Sequence, residues 1–276
     1  MMYSFLNGEF LPADKTFLHI SDLSVQRGYG VFDFFKVVDG RIPFFDDYIN
    51  RFYYSAAQMF LPVPLSTEEL KQVVLSLLER NGMADAGIKL LLTGGYAGDG
   101  YSISQPNLVI TQHHLPVVPG RLIEEGVKII THAFCRELPQ VKSINYVTGI
   151  RLQQKVRKAQ AYDVLYHLDG VLSEFPRCNI FIVRKTGEVV TPGSNVLEGI
   201  TRKQVLALDG IISIKTGLVT MQDLLEAEEA FLTSTTKRIL PIVSVDDNNI
   251  IGTGKPGAVT ISLLEQLKAR EQSGSK

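Results

Sequence analysis

An α+β fold of two domains is what this sequence predicts. Helical and strand-like stretches mix along the 276 residues with no sustained βαβ period. That length suits two domains of ordinary size, or one large one. The texture changes near Pro116 to Gly120, after which short strands follow in close succession. The expected division is an N-terminal domain over 1–115, a linker over 116–121 and a C-terminal domain over 122–276.

Each element has a local reason. Residues 3–11 read as a hairpin turning at Asn7-Gly8, a pair that tolerates the positive φ of a tight turn. Residues 21–30 read as a loop, with Gly28 and Gly30 flanking Tyr29. Residues 31–38 are bulky and aromatic and alternate poorly, as a buried strand does, and Asp39-Gly40 ends them. A helix is expected over 46–60. Another over 66–81 has a capping box, Ser66 with Glu69, and Gly82 as its stop. Its apolar face is Leu70, Val73, Val74, Leu77 and Leu78. Strands at 88–93 and 107–112 flank a glycine-rich loop, 94–101.

Beyond the linker, 127–131 is strand-like and 148–161 is helical, rich in Arg, Gln and Lys. Short strands follow at 164–167, 170–173, 179–183 and 188–191, with turns at Asp169-Gly170 and Thr186-Gly187. A short helix is expected over 201–208, a strand over 211–215 and a helix over 221–229. A strand at 231–233 runs into Ser234-Thr235-Thr236. A hairpin over 243–251 precedes a terminal helix that begins near Gly257, and the polar residues 270–276 are expected to fray.

Composition excludes several classes. A net charge of −1 speaks against nucleic acid or an anionic membrane as partner. Two cysteines, Cys135 and Cys178, lack metal-ligand spacing and suit a reduced cytosol. The N-terminus turns polar within a few residues, unlike a signal peptide. No apolar run approaches the roughly 20 residues that cross a bilayer. His113-His114 has no acidic or thiol neighbour at ligand spacing, so the pair is read as strand-end residues and no metal is expected. The expectation is a cytoplasmic protein.

One stretch organises the rest: Val141-Lys142-Ser143-Ile144-Asn145-Tyr146, between a strand-like segment and a long helical one. A lysine pinned at such a junction, its amine shielded from water, loses its proton more readily. The neutral amine is a nucleophile for carbonyls. For an arbitrary lysine, a solvated surface position is the commoner outcome.

Further stretches join it in order: Arg51, Lys142 with Asn145-Tyr146, Val171-Leu172-Ser173-Glu174 with Asn179-Ile180-Phe181, Gly199-Ile200-Thr201-Arg202, and the run from Thr233 to Pro241. Together they resemble the class IV, fold-type-IV pyridoxal-phosphate enzymes, over roughly residues 4–265. That family holds branched-chain aminotransferases, D-amino-acid aminotransferases and aminodeoxychorismate lyase. The resemblance implies a homodimer of two-domain subunits, a smaller N-terminal α/β domain and a larger C-terminal mixed one, with pyridoxal 5'-phosphate in the cleft between them.

It also implies roles. Lys142 would hold the cofactor aldehyde as a Schiff base and then shuttle a proton. Glu174 would keep the pyridine nitrogen protonated; alone it could equally be a strand-end surface charge. Arg51, Ile200, Thr201, Ser234 and Thr235 would bind the phosphate, Thr201 at a helix start where free N–H groups favour an anion. From local sequence alone, Arg51 is the i,i+4 partner of Asp47 and Thr201 a plain N-cap. Tyr146 would bond the ring oxygen, or else pack as a helix-face aromatic.

The substrate is read from departures. D-amino-acid enzymes trap a carboxylate with Arg-x-His in the glycine-rich loop and a tyrosine in the early strand. Here the loop has neither residue, and Phe32 stands where the tyrosine would be. Branched-chain enzymes usually carry Phe-Glu-Gly or Phe-Glu-Thr; here it is Phe32-Asp33-Phe34. The short Lys142-to-Asn145 spacing and Thr233-Ser234-Thr235-Thr236 lean to the D-amino-acid group, while residues 98–102 resemble the lyase loop. Arg27 and Arg177 either replace the trap and favour dicarboxylates or are plain surface charges, with Lys89 and Lys237 weaker candidates for the same work. Cys178, whose thiolate Arg177 would favour, is read as a small packing residue. The expected activity is transamination between an amino acid, D favoured, and a 2-oxo acid. Branched-chain L-transamination is the first alternative and the lyase the second.

Overall fold

The computed structural model describes residues 1–208, 210, 212–247 and 249–273. It divides into two compact units. The first comprises Met1–Pro116 with Val141–Asn145, the second Val117–Gln140 with Tyr146–Ser273. The stretch around Lys142 thus groups with the N-terminal strands, whereas the sequence places it in the domain from residue 122 onward.

In the first unit, β1 (Tyr3–Leu6) and β2 (Glu9–Pro12) form a hairpin, with Asn7 and Gly8 at φ 48° and 104°. The expected loop over 21–30 contains a five-residue helix, α1 (Leu23–Arg27). Asp22 caps it by accepting the Ser24 N–H, and left-handed Gly28 closes it. Those two signals, an N-cap acid and a C-terminal glycine, stood in the sequence. Asp22 also accepts bonds from Thr93 Oγ1 and Asn107 Nδ2, both at 2.7 Å, which tie the segment to the strand ends.

Then come β3 (Gly30–Val37), α2 (Phe45–Gln58), α3 (Thr67–Asn81), β4 (Ala86–Thr93) and β5 (Leu108–His113). The sheet runs β2-β1-β5-β4-β3, antiparallel throughout. The capping box of Ser66 and Glu69 starts α3, and Gly82 at φ 63° ends it. Leu70, Val74 and Leu77 are fully buried, each contributing roughly 1.5–3 kcal/mol of burial. Val73 and Leu78 are half-buried at the margin of that face.

Strand β3 ends the sheet, and a bare strand edge leaves N–H and C=O groups unpaired. Residues Val141–Asn145 cover it. Phe32 N–H donates to Lys142 O at 2.9 Å, and Ile144 N–H donates to Gly30 O at 3.1 Å. This pairing is the physical reason the stretch belongs to the first unit.

The second unit contains α4 (Arg121–Glu124), β6 (Val127–Ala133), α5 (Val147–Lys158), β7 (Asp163–Leu168), β8 (Val171–Leu172), β9 (Asn179–Val183) and β10 (Val189–Pro192). It continues with α6 (Ile200–Leu206), β11 (Ile214–Gly217), α7 (Met221–Leu225), β12 (Glu229–Ser234), β13 (Arg238–Val245), β14 (Asn249–Ile250) and α8 (Ala258–Ser273). The sheet order is β11-β10-β9-β12-β13-β6-β7-β8, with β14 on β13. Its mixed character shows in parallel pairs β10–β11, β13–β6 and β6–β7 among antiparallel ones.

Every residue of β9 is buried, because its alternate side chains feed two cores. Ile180 and Ile182 pack with Leu232 and Leu240, while Phe181 and Val183 pack with Phe231, Leu263 and Leu267. The rings of Phe181 and Phe231 stack at 5.0 Å.

Three expectations shift. Helix α7 stops at Leu225 because Glu229 joins β12 and accepts the Val259 and Thr260 N–H groups that begin α8. The hairpin expected over 243–251 does form, β14 returning antiparallel on the end of the longer strand β13, and Asn248 lies outside the described residues. The strand expected at 211–215 is β11, Ile214–Gly217, and Ile211 lies outside the described residues. The terminal helix holds to Ser273: Arg238 Nε meets Glu271 Oε2 at 2.7 Å, and Arg270 Nε meets Gln204 Oε1 at 2.8 Å. Residues 274–276 lie outside the described residues. Among the described residues, no helix is long and apolar enough to cross a membrane.

Candidate active site

In the first unit the candidates gather on β3. Successive strand residues point to opposite faces. Phe32 lies on one face, and Nζ of Lys142 stands 4.6 Å from its ring centroid. Nζ of Lys89 approaches the same ring at 5.4 Å. Asp33 and Phe35 point the other way, toward α2, where the Phe35 ring meets Phe45 and Tyr48. Arg51 of α2 closes on fully buried Asp33, with Nε to Oδ2 at 2.9 Å and Nη2 to Oδ1 at 2.7 Å. Such a fork-to-carboxylate pair fixes the plane of the guanidinium.

One helical turn beyond Arg51, buried Ser55 accepts the Lys142 N–H at 3.1 Å. Lys142 is therefore held by its own backbone on both sides, by β3 and by α2. Close packing demands Gly30 at the β3 edge: a Cβ there would stand 2.8 Å from Leu92 O and 3.2 Å from Ile144 Cδ1. Arg27, in contrast, is exposed at the end of α1. It donates to its neighbour's carbonyl, Gln26 O, at 3.1 Å and lies beside Gly100 of the glycine-rich loop. That loop is shaped by Asp99, which accepts the Tyr101 and Ser102 N–H groups and the Ser102 hydroxyl.

In the second unit the candidates gather around Glu174, which is 4% exposed. Its backbone is fixed by Tyr166 N–H donating to Glu174 O at 2.9 Å. Arg136 Nη1 donates to its Oε1 at 3.0 Å, and Leu197 N–H to its Oε2 at 2.9 Å. Asn179 Nδ2 in turn donates to Leu197 O at 2.9 Å. A Cβ on Gly199 would collide with Asn179 Oδ1, so a larger residue there must turn the Asn179 side chain aside. Buried Ile200 and Thr201 then open α6.

Fully buried Arg202 ties this loop down, donating to Glu198 Oε2 at 2.6 Å, Pro192 O at 2.8 Å and Thr191 Oγ1 at 3.3 Å. Ser234 ends β12, its hydroxyl accepting the Lys237 N–H at 3.3 Å, and Thr235 follows in the turn. Tyr146 is half-buried and sits at the N-cap of α5.

Arg177 is exposed beside Cys178. The Cys178 thiol does not titrate low: burial pushes its pKa up, against the opposing charges of Lys237 and Arg177. Lys237 Nζ lies 3.7 Å from the sulfur. The residue is a packing one, as its small size suggests. Among the described residues no group of three or more His, Cys, Asp or Glu could hold a metal ion. His113 closes β5, its ring bonded to the Thr111 hydroxyl at 2.7 Å.

Sequence reasoning missed Arg136, Asp33 and Ser55. Arg136 and Ser55 stand in no motif, and Asp33 was read only as part of Phe32-Asp33-Phe34, because each acts on a candidate residue far from it along the chain.

Comparison with known proteins bears on the family of the chain. A family model described as amino-transferase class IV matches residues 30–245. A D-alanine aminotransferase of Bacillus licheniformis is 29% identical over 268 residues, covering 95% of this chain and 94% of the relative. A putative branched-chain-amino-acid aminotransferase of Methanocaldococcus jannaschii is 32% identical over 283 residues, covering 97% and 96%. The crystal structure of a T.th. branched-chain amino acid aminotransferase with pyridoxamine 5'-phosphate superposes with a TM-score of 0.91 at 23% identity, covering 99% of this chain and 94% of that one.

Proposed function

The chain belongs to the class IV aminotransferases, pyridoxal-phosphate enzymes of fold type IV, and from that premise we propose that it moves an amino group between a D-amino acid and a 2-oxo acid, as a cytoplasmic homodimer. When bound, pyridoxal phosphate supplies an aldehyde that takes up an amine and a ring that accepts the electron pair of the broken Cα–H bond. The donor set fits that group. Lys142 offers an amine whose backbone is clamped by Phe32 and Ser55. Glu174 offers a buried carboxylate held on both oxygens. Arg51 offers a guanidinium whose plane Asp33 fixes.

In this reading Lys142 holds the cofactor and carries a proton at Nζ. Glu174 accepts from the ring nitrogen and Tyr146 bonds the ring oxygen. Arg51, the backbone of Ile200 and Thr201, and the Ser234 and Thr235 hydroxyls bind the phosphate. Phe32 lines the substrate side, and Arg27 and Arg177 are the candidates for substrate carboxylates. The clamped Lys142 carries the proposal. The Lys142-to-Asn145 spacing and the D-alanine aminotransferase relative support the D preference.

The test is a half-reaction on the purified holoenzyme, followed by the absorbance of the bound cofactor. D-Alanine and D-glutamate are expected to convert it, and L-leucine and L-glutamate to leave it unchanged. Lys142→Ala should slow conversion by at least about 10²-fold. Conversion by L-leucine and L-glutamate instead would establish the branched-chain reading, which the 32% relative favours. No conversion by any of them, with pyruvate released from aminodeoxychorismate without an amino acceptor, would establish the lyase.

A further inference from the structure

Arg136 lies in the segment after β6 and matches none of the motifs. Its side chain is 15% exposed, against 5% for Glu174. One nitrogen, Nη1, donates both to Glu174 Oε1 at 3.0 Å and to Pro139 O at 3.1 Å, so the guanidinium is anchored by its own segment. The other carboxylate oxygen is held by Leu197 N–H. Two segments remote in sequence thus grip one carboxylate. A carboxylate this buried is disfavoured as an anion unless a cation or several donors compensate it.

Arg202 of α6 and Tyr166 of β7 also sense its charge. Arg202 is directed to Glu198, Pro192 and Thr191. Burial pushes the Tyr166 phenol well above its usual range, with Asp163 of β7 and Tyr146 ahead of α5 adding to that rise, so it stays neutral at physiological pH.

We propose that Arg136 is the positioning residue of this site: it keeps Glu174 ionised and in one orientation, so that Glu174 can hold a basic ring nitrogen protonated. The inference rests on the assignment of Glu174 made under the proposed function. It adds a residue that acts through Glu174 and need not touch cofactor or substrate.

The experiment measures the affinity of the apoenzyme for pyridoxal phosphate from pH 5 to 9 in the wild type, Arg136→Met, Arg136→Lys and Glu174→Gln. Loss of an adjacent cation raises a carboxylate's pKa by roughly one to three units. The acid limb of cofactor affinity in Arg136→Met should therefore move up by about one to three pH units, with affinity falling about tenfold per unit below it. Glu174→Gln should be weak and show no such limb. Arg136→Lys should keep the limb near its wild-type position but bind less tightly, because a flexible ammonium aims the carboxylate less firmly than a guanidinium anchored on Pro139 O.

An affinity in Arg136→Met lowered equally at every pH would mark a merely structural residue and overturn the inference. So would Arg136→Lys binding as tightly as the wild type, a test that stands if Arg136→Met does not fold. Unchanged affinity and absorbance in Glu174→Gln would instead overturn the assignment of Glu174, which separates the two failures.

Discussion

In the first unit, Asp33 is fully buried and Arg51 closes on it through Nε and Nη2. In the second, Glu174 is buried and Arg136 meets it through Nη1. Both are arginine–carboxylate pairs with the carboxylate buried, yet the proposed roles are reversed. In the first the arginine is the ligand-binding member and the carboxylate aims it. In the second the carboxylate is the ligand-binding member and the arginine holds it. A buried charge is stable only with its partner, so each functional residue implies a second one. That second residue is 18 positions away in the first unit and 38 in the second. Asp163 is the contrasting third case: it is 1% exposed, and its Oδ2 finds no hydrogen-bond partner among the described residues.

The comparison breaks most visibly at Asp33. Asp33→Asn should destabilise the protein by about 3–5 kcal/mol, because it strands a buried guanidinium. Urea unfolding reads this directly. The double variant Asp33→Leu with Arg51→Met should recover most of that loss while still binding pyridoxal phosphate weakly. A loss under about 1 kcal/mol in Asp33→Asn would mean that Arg51 is held by something other than the pair.

A smaller effect is expected at Gly199, in the loop that carries Leu197 to Glu174. In Gly199→Ala the new Cβ collides with Asn179 Oδ1 and must turn Asn179 away from Leu197 O. Overpacking of that kind costs about 1–3 kcal/mol. Stability and cofactor affinity should fall together. If stability alone falls, the loop does not support Glu174 in the way described.

The smallest effect is a change of slope, and it shows what a buried carboxylate does when burial outweighs the cations around it. Burial pushes the Asp163 pKa up, while Val164 N–H, Arg177 and Lys237 oppose the rise. The folded pKa therefore lies above the unfolded one, near 3.9. Between the two values the folded state binds more protons than the unfolded state, so stability declines as pH rises from about 4. Asp163→Asn should remove this contribution and gain on the wild type between pH 4 and 7 in denaturant midpoints. Parallel midpoints across that range would exclude Asp163 as the source.

Much of the fold was legible because local chemistry specifies it. Asn7-Gly8 makes a hairpin turn wherever it falls between apolar runs. Ser66 and Glu69 start a helix by satisfying its own free N–H groups, and Gly82 ends it. Residues 179–183 read as a strand and are one. The stretch Gly199-Ile200-Thr201-Arg202 is likewise a local pattern, and it does open a helix. Where the expectations failed, a distant group had intervened. The helix from Met221 ends early because Glu229 is drawn to the start of α8. Only α1 carried its own unread signal, in Asp22 and Gly28.

By itself the sequence determined the α+β class, most helix and strand limits, and the family to which the chain belongs. Those depend on turn geometry, capping and side-chain type, which act over a few residues. Tertiary structure alone decided that Lys142 would be clamped by Phe32 and Ser55, that Arg51 would meet Asp33, and that Arg136 would meet Glu174. Such pairings follow from which backbone edges and buried charges need partners once the chain is packed, and no local pattern of residues records that need.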